Sequence, residues 1–301
     1  MDLPSQFEAL VGYGRRSTED QDTFMPLAHL DTGVDLYYES HGEGEPLILI
    51  PGTGFAGDVW DIEQTGPLSE KLRVITFDQR GCGRSSAPNG VYTIEAMACD
   101  VASLMNELGI ASAHVLGHSM GGRIAIALAL SHPRKVKSLF LAAAGSGTAA
   151  RPGDECVPGL PYRMIDELVR MGYEKFVRAE FFDTTTYFTK EFLVSDPACV
   201  QRFYEKAWAS HAKWEPFVRL IMARHTFEAT HRLGEIAAPA LVVVGDNDDV
   251  GSNHVKQAVA LTQKIPRAET YFFKGQSHGF FWQAPQATNQ LILDWIARHV
   301  K

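Results

Sequence analysis

The chain has 301 residues, of which 45% are hydrophobic and 21% are charged, and its formal net charge is −8. This length allows either two average domains or one large one, and the apolar content is sufficient for a large buried core. The acid excess argues against nucleic acid or an anionic membrane as the main partner, because both attract basic surfaces.

The cysteines and the N-terminal residues bear on the cellular compartment. The four cysteines form no C-x-x-C pair and show no metal-ligand spacing, so we expect reduced thiols. The first twenty-odd residues lack the apolar stretch of a secretory signal, and no apolar run is long enough to span a bilayer. We therefore expect a soluble, cytoplasmic protein with no membrane span. A homodimer is possible, and the oligomeric state stays open.

Short segments with strand character follow one another along the chain. Segments 24–29 and 34–39 flank an Asp-Thr-Gly turn and predict a β-hairpin. Six later runs, each closed by a turn residue, are mainly apolar rather than apolar at alternate positions, which predicts strands buried on both faces of a parallel sheet. These runs are 46–51, 74–78, 114–117, 139–144, 241–245 and 271–274.

Helical patterns alternate with these runs. Segment 94–108 has apolar residues at helical spacing and ends at Gly109, segment 120–132 is stopped by Pro133, and segment 291–300 is amphipathic. Strands that alternate with helices predict βαβ units. The fold class is therefore α/β, with a mostly parallel central sheet and helices on both faces.

The alternation breaks between residues 147 and 232, where helical patterns and dense aromatic residues replace apolar strand-like runs. The helical patterns are 162–172, 173–182, 197–209 and 214–226. An insertion of this kind predicts a lid over the carboxyl edge of the sheet. We expect a core domain from 24–147 and 233–301, a helical cap at 148–232, and an N-terminal extension at 1–23 without an assigned role.

Residues 117–121, Gly-His-Ser-Met-Gly, match G-x-S-x-G. Its context makes the match specific, because the motif follows a predicted apolar strand and precedes a predicted helix. Such a turn exposes the hydroxyl of Ser119, while Gly117 and Gly121 allow strand and helix to approach closely. The helix N-terminus supplies free N–H groups and a partial positive charge for a developing oxyanion. Ser119 is the predicted nucleophile.

A serine hydroxyl needs a base, and the base needs an orienting acid. Among eleven histidines, His278 follows the last predicted strand, where a loop at the carboxyl edge can reach the serine. For the acid, Asp248 follows the strand at 241–245 and is preferred over the neighbouring Asp246 and Asp249. The chain order serine, aspartate, histidine suits this strand arrangement.

Two backbone N–H groups are predicted to bind the oxyanion: that of Met120, and that of Thr53 in the Gly-Thr-Gly turn after the strand at 46–51. Three tryptophans, Trp60 near this turn and Trp208 and Trp214 in the predicted lid, are the predicted substrate contacts. They suggest a substrate with an apolar portion.

At this point the sequence resembles the α/β-hydrolase superfamily over essentially 24–300. Residues 51–54, Pro-Gly-Thr-Gly, look like its oxyanion loop, although that loop usually begins with His-Gly. Residues 77–85 look like its structural Asp-x-Arg-Gly-x-Gly-x-Ser turn, 117–122 its elbow, Asp248 its acid and His278 its base. The resemblance implies hydrolysis of an ester, lactone or amide of a small molecule, with no metal or organic cofactor.

Several functions stay open within this resemblance. A serine at position 119 disfavours epoxide hydrolases, haloalkane dehalogenases and dienelactone-type hydrolases. An esterase or lactonase is favoured over a carbon–carbon hydrolase of ring-cleavage products, an amidase and a cofactor-free perhydrolase. The carbon–carbon hydrolase would need a cationic residue in the pocket, and Arg123, Arg163 and Arg178 are the candidates considered. A ligand receptor on the same fold is the alternative outside catalysis.

Overall fold

Eight strands form one sheet in the computed structural model, which describes residues 26–147, 160–179, 187–248 and 253–299, with the backbone only for 160–163. Their order across the sheet is β1-β2-β4-β3-β5-β6-β7-β8. The strands β1 and β2 are antiparallel to their neighbours, and β3 to β8 are parallel to one another. The strands are β1 (Leu27–His29), β2 (Asp35–His41), β3 (Pro46–Ile50), β4 (Arg73–Phe77), β5 (Ala113–His118), β6 (Val136–Ala142), β7 (Ala240–Gly245) and β8 (Ala268–Phe273).

The predicted hairpin and the six predicted apolar strands are all present. In the hairpin Leu27 of β1 pairs with Tyr37 of β2, while residues 24 and 25 lie outside the described part of the chain. Every residue of β5 and β7 is buried, so both faces of these central strands are covered. For β8 the expected burial is wrong. Tyr271 is 42% and Phe272 43% exposed, because β8 is the last strand and pairs on one side only.

Eleven α-helices occur in the described residues. They are α1 (Thr65–Ser69), α2 (Ile94–Glu107), α3 (Met120–Ser131), α4 (Leu160–Met171), α5 (Tyr173–Val177), α6 (Lys190–Ser195), α7 (Pro197–Ala209), α8 (Trp214–Thr226), α9 (His254–Lys264), α10 (Phe280–Gln283) and α11 (Pro285–Ala297). The Thr93 hydroxyl caps α2 by accepting the Ala96 N–H, and Gly109 follows its end at φ 65°, as the sequence predicted. The last helix begins earlier than predicted, at Pro285, which suits a first helical position.

Five helices, α4 to α8, lie between β6 and β7 in the chain, and we call them the inserted helices. Sequence patterns located α4, α7 and α8, whereas α6 was missed and α5 is shorter than the predicted 173–182, whose last residues lie outside the described ranges. The inserted helices are anchored on the loop after β3. Helix α7 packs on the 3-10 helix Gly57–Ile62, and the Ala212 N–H donates to the Gly54 carbonyl at 2.8 Å.

The parallel strands bring the predicted site residues to one edge of the sheet. Thr53 follows β3, Ser119 follows β5, Asp248 follows β7 and His278 follows β8. Because carboxyl ends of parallel strands share an edge, these four loops are neighbours although they are far apart in the chain.

In the part of the chain that is described, no helix is long and apolar enough to cross a membrane.

Candidate active site

The turn at Ser119 has the backbone geometry of a sharp elbow between β5 and α3. Ser119 has φ 56° and ψ −116°, a positive φ that a non-glycine residue rarely adopts. The flanking glycines make this turn possible. A Cβ at Gly117 would lie 2.2 Å from the Gly121 carbonyl oxygen, and one at Gly121 would lie 2.2 Å from the Ile50 oxygen. Strand, turn and helix are therefore packed too closely at these two positions for any side chain.

The loop after β3 lies against this elbow. A Cβ built on Gly52 would lie 3.5 Å from the Ser119 Cβ, and the neighbouring Thr53 is 2% exposed. Met120 is the first residue of α3, so its N–H belongs to the helix end with free donors. Of the two predicted oxyanion residues, Met120 directly follows Ser119 and Thr53 directly follows Gly52, which faces the serine. Their role stays a prediction.

Asp248 and His278 are joined in a buried hydrogen bond. The His278 Nδ1 lies 2.9 Å from the Asp248 Oδ2, and the two residues are 4% and 2% exposed. An ionised carboxylate only accepts, so Nδ1 carries the proton. In the neutral imidazole Nε2 is then the acceptor, which is the protonation state that a base for a serine hydroxyl requires.

His118 ties His278 to the elbow. Its Nε2 donates to the His278 carbonyl oxygen at 3.1 Å, and the centres of the two rings are 4.6 Å apart. Burial, aided by the facing His278, holds the pKa of His118 well below its usual range, so this imidazole is neutral. His118 precedes Ser119 in the chain. The hydrogen bond therefore fixes the loop of residue 278 next to the serine.

The Asp248 carboxylate is held in its charged form. Burial by itself would raise its pKa, but the facing His278 and His254 and their hydrogen bonds outweigh burial and hold the pKa well below the usual range. Of the other two aspartates considered, Asp246 binds the Gly275 N–H at 2.6 Å instead, and Asp249 lies outside the described residues.

His254 was missed by the sequence analysis. Its Nδ1 lies 2.9 Å from the Asp248 Oδ1, and its ring is stacked on that of His278 at 4.7 Å and 29°. It is the first residue of α9, a helix that the sequence patterns did not include, and it follows Asn253 at φ 52°. A histidine six residues after the predicted acid was the available signal.

Two groups on or beside the inserted helices also reach the site. Tyr187 accepts the Ser277 hydroxyl and the Gly279 N–H with its carbonyl, and its ring lies 5.1 Å from that of His278. Burial raises the pKa of the Tyr187 phenol, so it stays protonated. Arg224 of α8 donates through one terminal nitrogen to the Thr53 Oγ1 at 3.3 Å. Its guanidinium brings a positive charge to the loop after β3, which sequence reasoning did not anticipate.

The three tryptophans are not gathered around Ser119. Trp60 is fully buried and packs on His118, Phe281 and Trp282, with ring centres 5.0–6.3 Å apart. Trp208 stacks on Tyr173 and His211, and Trp214 is 38% exposed with its ring edge-on to Tyr173. These contacts are packing contacts. Substrate binding by the tryptophans stays a prediction.

Asp248, His254 and His278 are also residue types that bind metal ions, and their ligand atoms lie within 4.8 Å of one another. Hydrogen bonds already account for this arrangement, because each imidazole donates to a different oxygen of one carboxylate. A second group within the described residues, Glu39, His41 and Asp61, is half-buried, and His41 is hydrogen-bonded to Glu39.

Buried histidines make the stability of the fold depend on pH. Burial lowers the pKa of His114 and of His211 to about 4, whereas an exposed histidine titrates near 6.5. Between these values the unfolded chain binds more protons, so stability falls as the pH falls. We expect these two imidazoles to lower the free energy of unfolding by about 2–3 kcal/mol from pH 7.5 to pH 5.5, and the buried His118 to lower it further.

Urea denaturation at a series of pH values would measure this drop. The variant His114→Asn should make the drop smaller by about 1 kcal/mol, since this imidazole no longer titrates. A free energy of unfolding that stays constant over this range would contradict the prediction.

Comparisons with known proteins agree with this fold. A family model described as alpha/beta hydrolase fold matches residues 45–285. RutD of Azorhizobium caulinodans, whose provisional name is carbamate hydrolase, is 29% identical over 271 residues, which make up 89% of this chain and 97% of that protein. Proline iminopeptidase of Lactobacillus helveticus is 26% identical over 290 residues, covering 89% of this chain and 96% of that one. The crystal structure of the enol-lactonase from Burkholderia xenovorans superposes with a TM-score of 0.78 at 25% identity, covering 90% of this chain and 100% of that one.

Proposed function

Because the chain belongs to the alpha/beta hydrolase fold family, we propose that it is a serine hydrolase that cleaves a carboxylic ester or lactone. Ser119 is the nucleophile, His278 the base and Asp248 the orienting acid. The observation that carries this proposal is the buried hydrogen bond of 2.9 Å between His278 Nδ1 and Asp248, next to a strained serine elbow.

The reaction proceeds through an acyl-enzyme. The His278 Nε2 takes the Ser119 proton as Oγ attacks the carbonyl carbon, and the N–H groups of Met120 and Thr53 bind the oxyanion. The imidazolium, stabilised by Asp248, then protonates the leaving alkoxide. Water, deprotonated by the same imidazole, cleaves the acyl-enzyme and restores Ser119.

The substrate class is supported by the surroundings of the site and by the relatives. Aromatic side chains are dense in the inserted helices, which favours a small, partly apolar substrate. Trp60, Trp208 and Trp214 are its proposed contacts. One relative of known structure is named as an enol-lactonase, and relatives by sequence are named for carbamate and iminopeptide substrates. All of these bonds are cleaved by attack on a carbonyl carbon, and an ester or lactone requires the least activation of the leaving group.

A panel of p-nitrophenyl esters, lactones and anilides, assayed with the parent protein and with Ser119→Ala, tests the proposal. We expect turnover of esters or lactones by the parent alone. Cleavage of anilides with no cleavage of esters would favour the amidase. No turnover of any substrate, together with tight binding of one of them, would favour a receptor.

A second candidate function is carbon–carbon bond hydrolysis of ring-cleavage products, and Arg224 favours it. Such substrates carry carboxylates, and the Arg224 guanidinium lies 3.3 Å from the Thr53 hydroxyl in the proposed oxyanion loop. Of the cations weighed from the sequence, Arg123 donates to the Arg224 carbonyl, Arg178 stacks over Trp208, and the Arg163 side chain lies outside the described part. Turnover of a dienoic ring-fission product in preference to p-nitrophenyl esters would establish this candidate over the esterase.

A further inference from the structure

Both oxygens of the Asp248 carboxylate are hydrogen-bonded to imidazoles. Oδ2 lies 2.9 Å from the His278 Nδ1, and Oδ1 lies 2.9 Å from the His254 Nδ1. Among the described residues these two imidazoles are the hydrogen-bond partners of this carboxylate. Since the ionised carboxylate has no proton to donate, each Nδ1 is the donor.

The second imidazole belongs to the same buried cluster as the first. The His254 and Asp248 side chains are 13% and 1% exposed, and the His254 ring is stacked on the His278 ring with centres 4.7 Å apart. His278 therefore lies between His118 on one side, at 4.6 Å, and His254 on another. Each of these contacts restricts how the His278 ring can turn.

The charged and titratable groups that face this cluster come from four parts of the fold. His118 of β5 and the Tyr187 phenol face His278 and Asp248, and the Arg123 guanidinium of α3 faces His254. The Arg224 guanidinium of α8 faces Tyr187. Burial lowers the pKa of His254, although Asp248 opposes this effect, so the neutral ring is favoured.

We propose that His254 is a positioning residue of the active site, which holds the Asp248 carboxylate through Oδ1 so that Oδ2 stays aligned with His278. This inference rests on the proposed function, because it assigns a role relative to the same acid and base. His254 acts on the reaction only through Asp248.

The physical effect of the second donor is twofold. A carboxylate held at both oxygens cannot rotate about its Cβ–Cγ bond without breaking a charge-assisted hydrogen bond, so the His278 tautomer and ring direction are better defined. The second donor also draws negative charge toward Oδ1, which weakens the attraction of Asp248 for a proton on His278. His254 therefore adjusts the pH at which His278 becomes available as a base.

Two substitutions of His254 separate the hydrogen bond from the ring. Leucine is apolar and donates nothing. In asparagine the Nδ2 is separated from Cα by the same number of bonds as Nδ1 in histidine, so His254→Asn can restore the donor without the ring. The matched control is Val255→Ala, which loosens the packing of the next residue of α9 against the hydrophobic core and removes no hydrogen-bonding group.

Ester hydrolysis is measured per active site, counted by titration with a fluorophosphonate, from pH 5 to pH 9. We expect kcat of His254→Leu to fall about 10- to 100-fold with little change in KM, and the acid limb of its kcat/KM profile to move to higher pH. His254→Asn should recover most of kcat and the parental acid limb, and Val255→Ala should keep both. A leucine variant with parental kcat and acid limb would overturn the proposal. Equal impairment of the leucine and asparagine variants with an unmoved acid limb would overturn it as well, since only the ring would then matter.

Proton NMR tests the contact without any turnover. Imidazole N–H protons hydrogen-bonded to a carboxylate resonate at low field, so the Ser119→Ala protein should show two such resonances, from His254 and His278. A single low-field resonance would overturn the proposal even if His254→Leu does not fold. If two resonances appear but no ester is hydrolysed by the parent, the proposed function has failed, while the hydrogen bonds of both imidazoles to Asp248 are still supported.

Discussion

Replacement of Ser119 by alanine is expected to reduce ester turnover by about a millionfold, because no other group can then form the acyl-enzyme. The strained elbow, with φ 56° at this residue, places the Ser119 side chain directly after the end of β5. Alanine at the same φ keeps the backbone, so the fold should remain intact. Covalent labelling by a fluorophosphonate should disappear together with turnover, and mass spectrometry of the parent should place the label on Ser119.

Ser138→Ala is the matched control for this experiment. Ser138 is a buried serine in β6 whose hydroxyl contacts the His114 Nδ1 at 2.8 Å and the Trp295 Nε1 at 3.1 Å. Its loss should lower stability and leave labelling and turnover at the parental level. Parental labelling of Ser119→Ala would mean that a different residue is the nucleophile.

Replacement of Asp248 by asparagine is expected to lower kcat by about 10⁴-fold, with KM little changed. The amide is neutral, so it no longer stabilises the imidazolium that forms on His278. It can also donate to the His278 Nδ1, which would move the proton to Nε2 and remove the base. Steady-state kinetics with the best ester of the panel, at pH 8, measures this loss.

Asp246→Asn is the comparison that makes the Asp248 result specific. Asp246 is close in the chain and exposed, and its Oδ1 accepts the Gly275 N–H, which an asparagine oxygen can also do. This variant should retain parental kinetics. If Asp248→Asn were nearly as active as the parent while Asp249→Asn were inactive, the acid would be Asp249.

The order of strands and helices could be predicted from the sequence because buried strands require apolar residues at every position. The runs at 46–51, 114–117 and 241–245 each coincide with a buried strand. The predicted burial is wrong for β8, where residues 271–273 are just as apolar but belong to the strand at the edge of the sheet. Local composition carries no information about which strand is the last in the sheet.

Helix α9 was not predicted from the sequence, for a different reason. Its polar and apolar residues are mixed without a long apolar pattern, so the sequence does not predict it. The helix begins at His254, after Asn253 with its positive φ. With the helix unpredicted, His254 had no position relative to Asp248. Arg224 was missed for another reason: its helix α8 was predicted, but its contact with Thr53 joins residues 171 positions apart.

By itself the sequence determined the turn at Ser119 between a strand and a helix, and it identified Ser119, Asp248 and His278 as candidates because each lies in the loop that follows a strand. A turn motif of this kind is a local property of the backbone. The tertiary structure alone decided that the Asp248 carboxylate is shared by His254 and His278, that His118 binds the carbonyl of residue 278, and that Arg224 reaches the loop after β3. These are contacts between side chains brought together by strand order and helix packing. Hydrogen bonds act only over about 3 Å, so such contacts depend on how distant segments meet and leave no periodic signal along the chain.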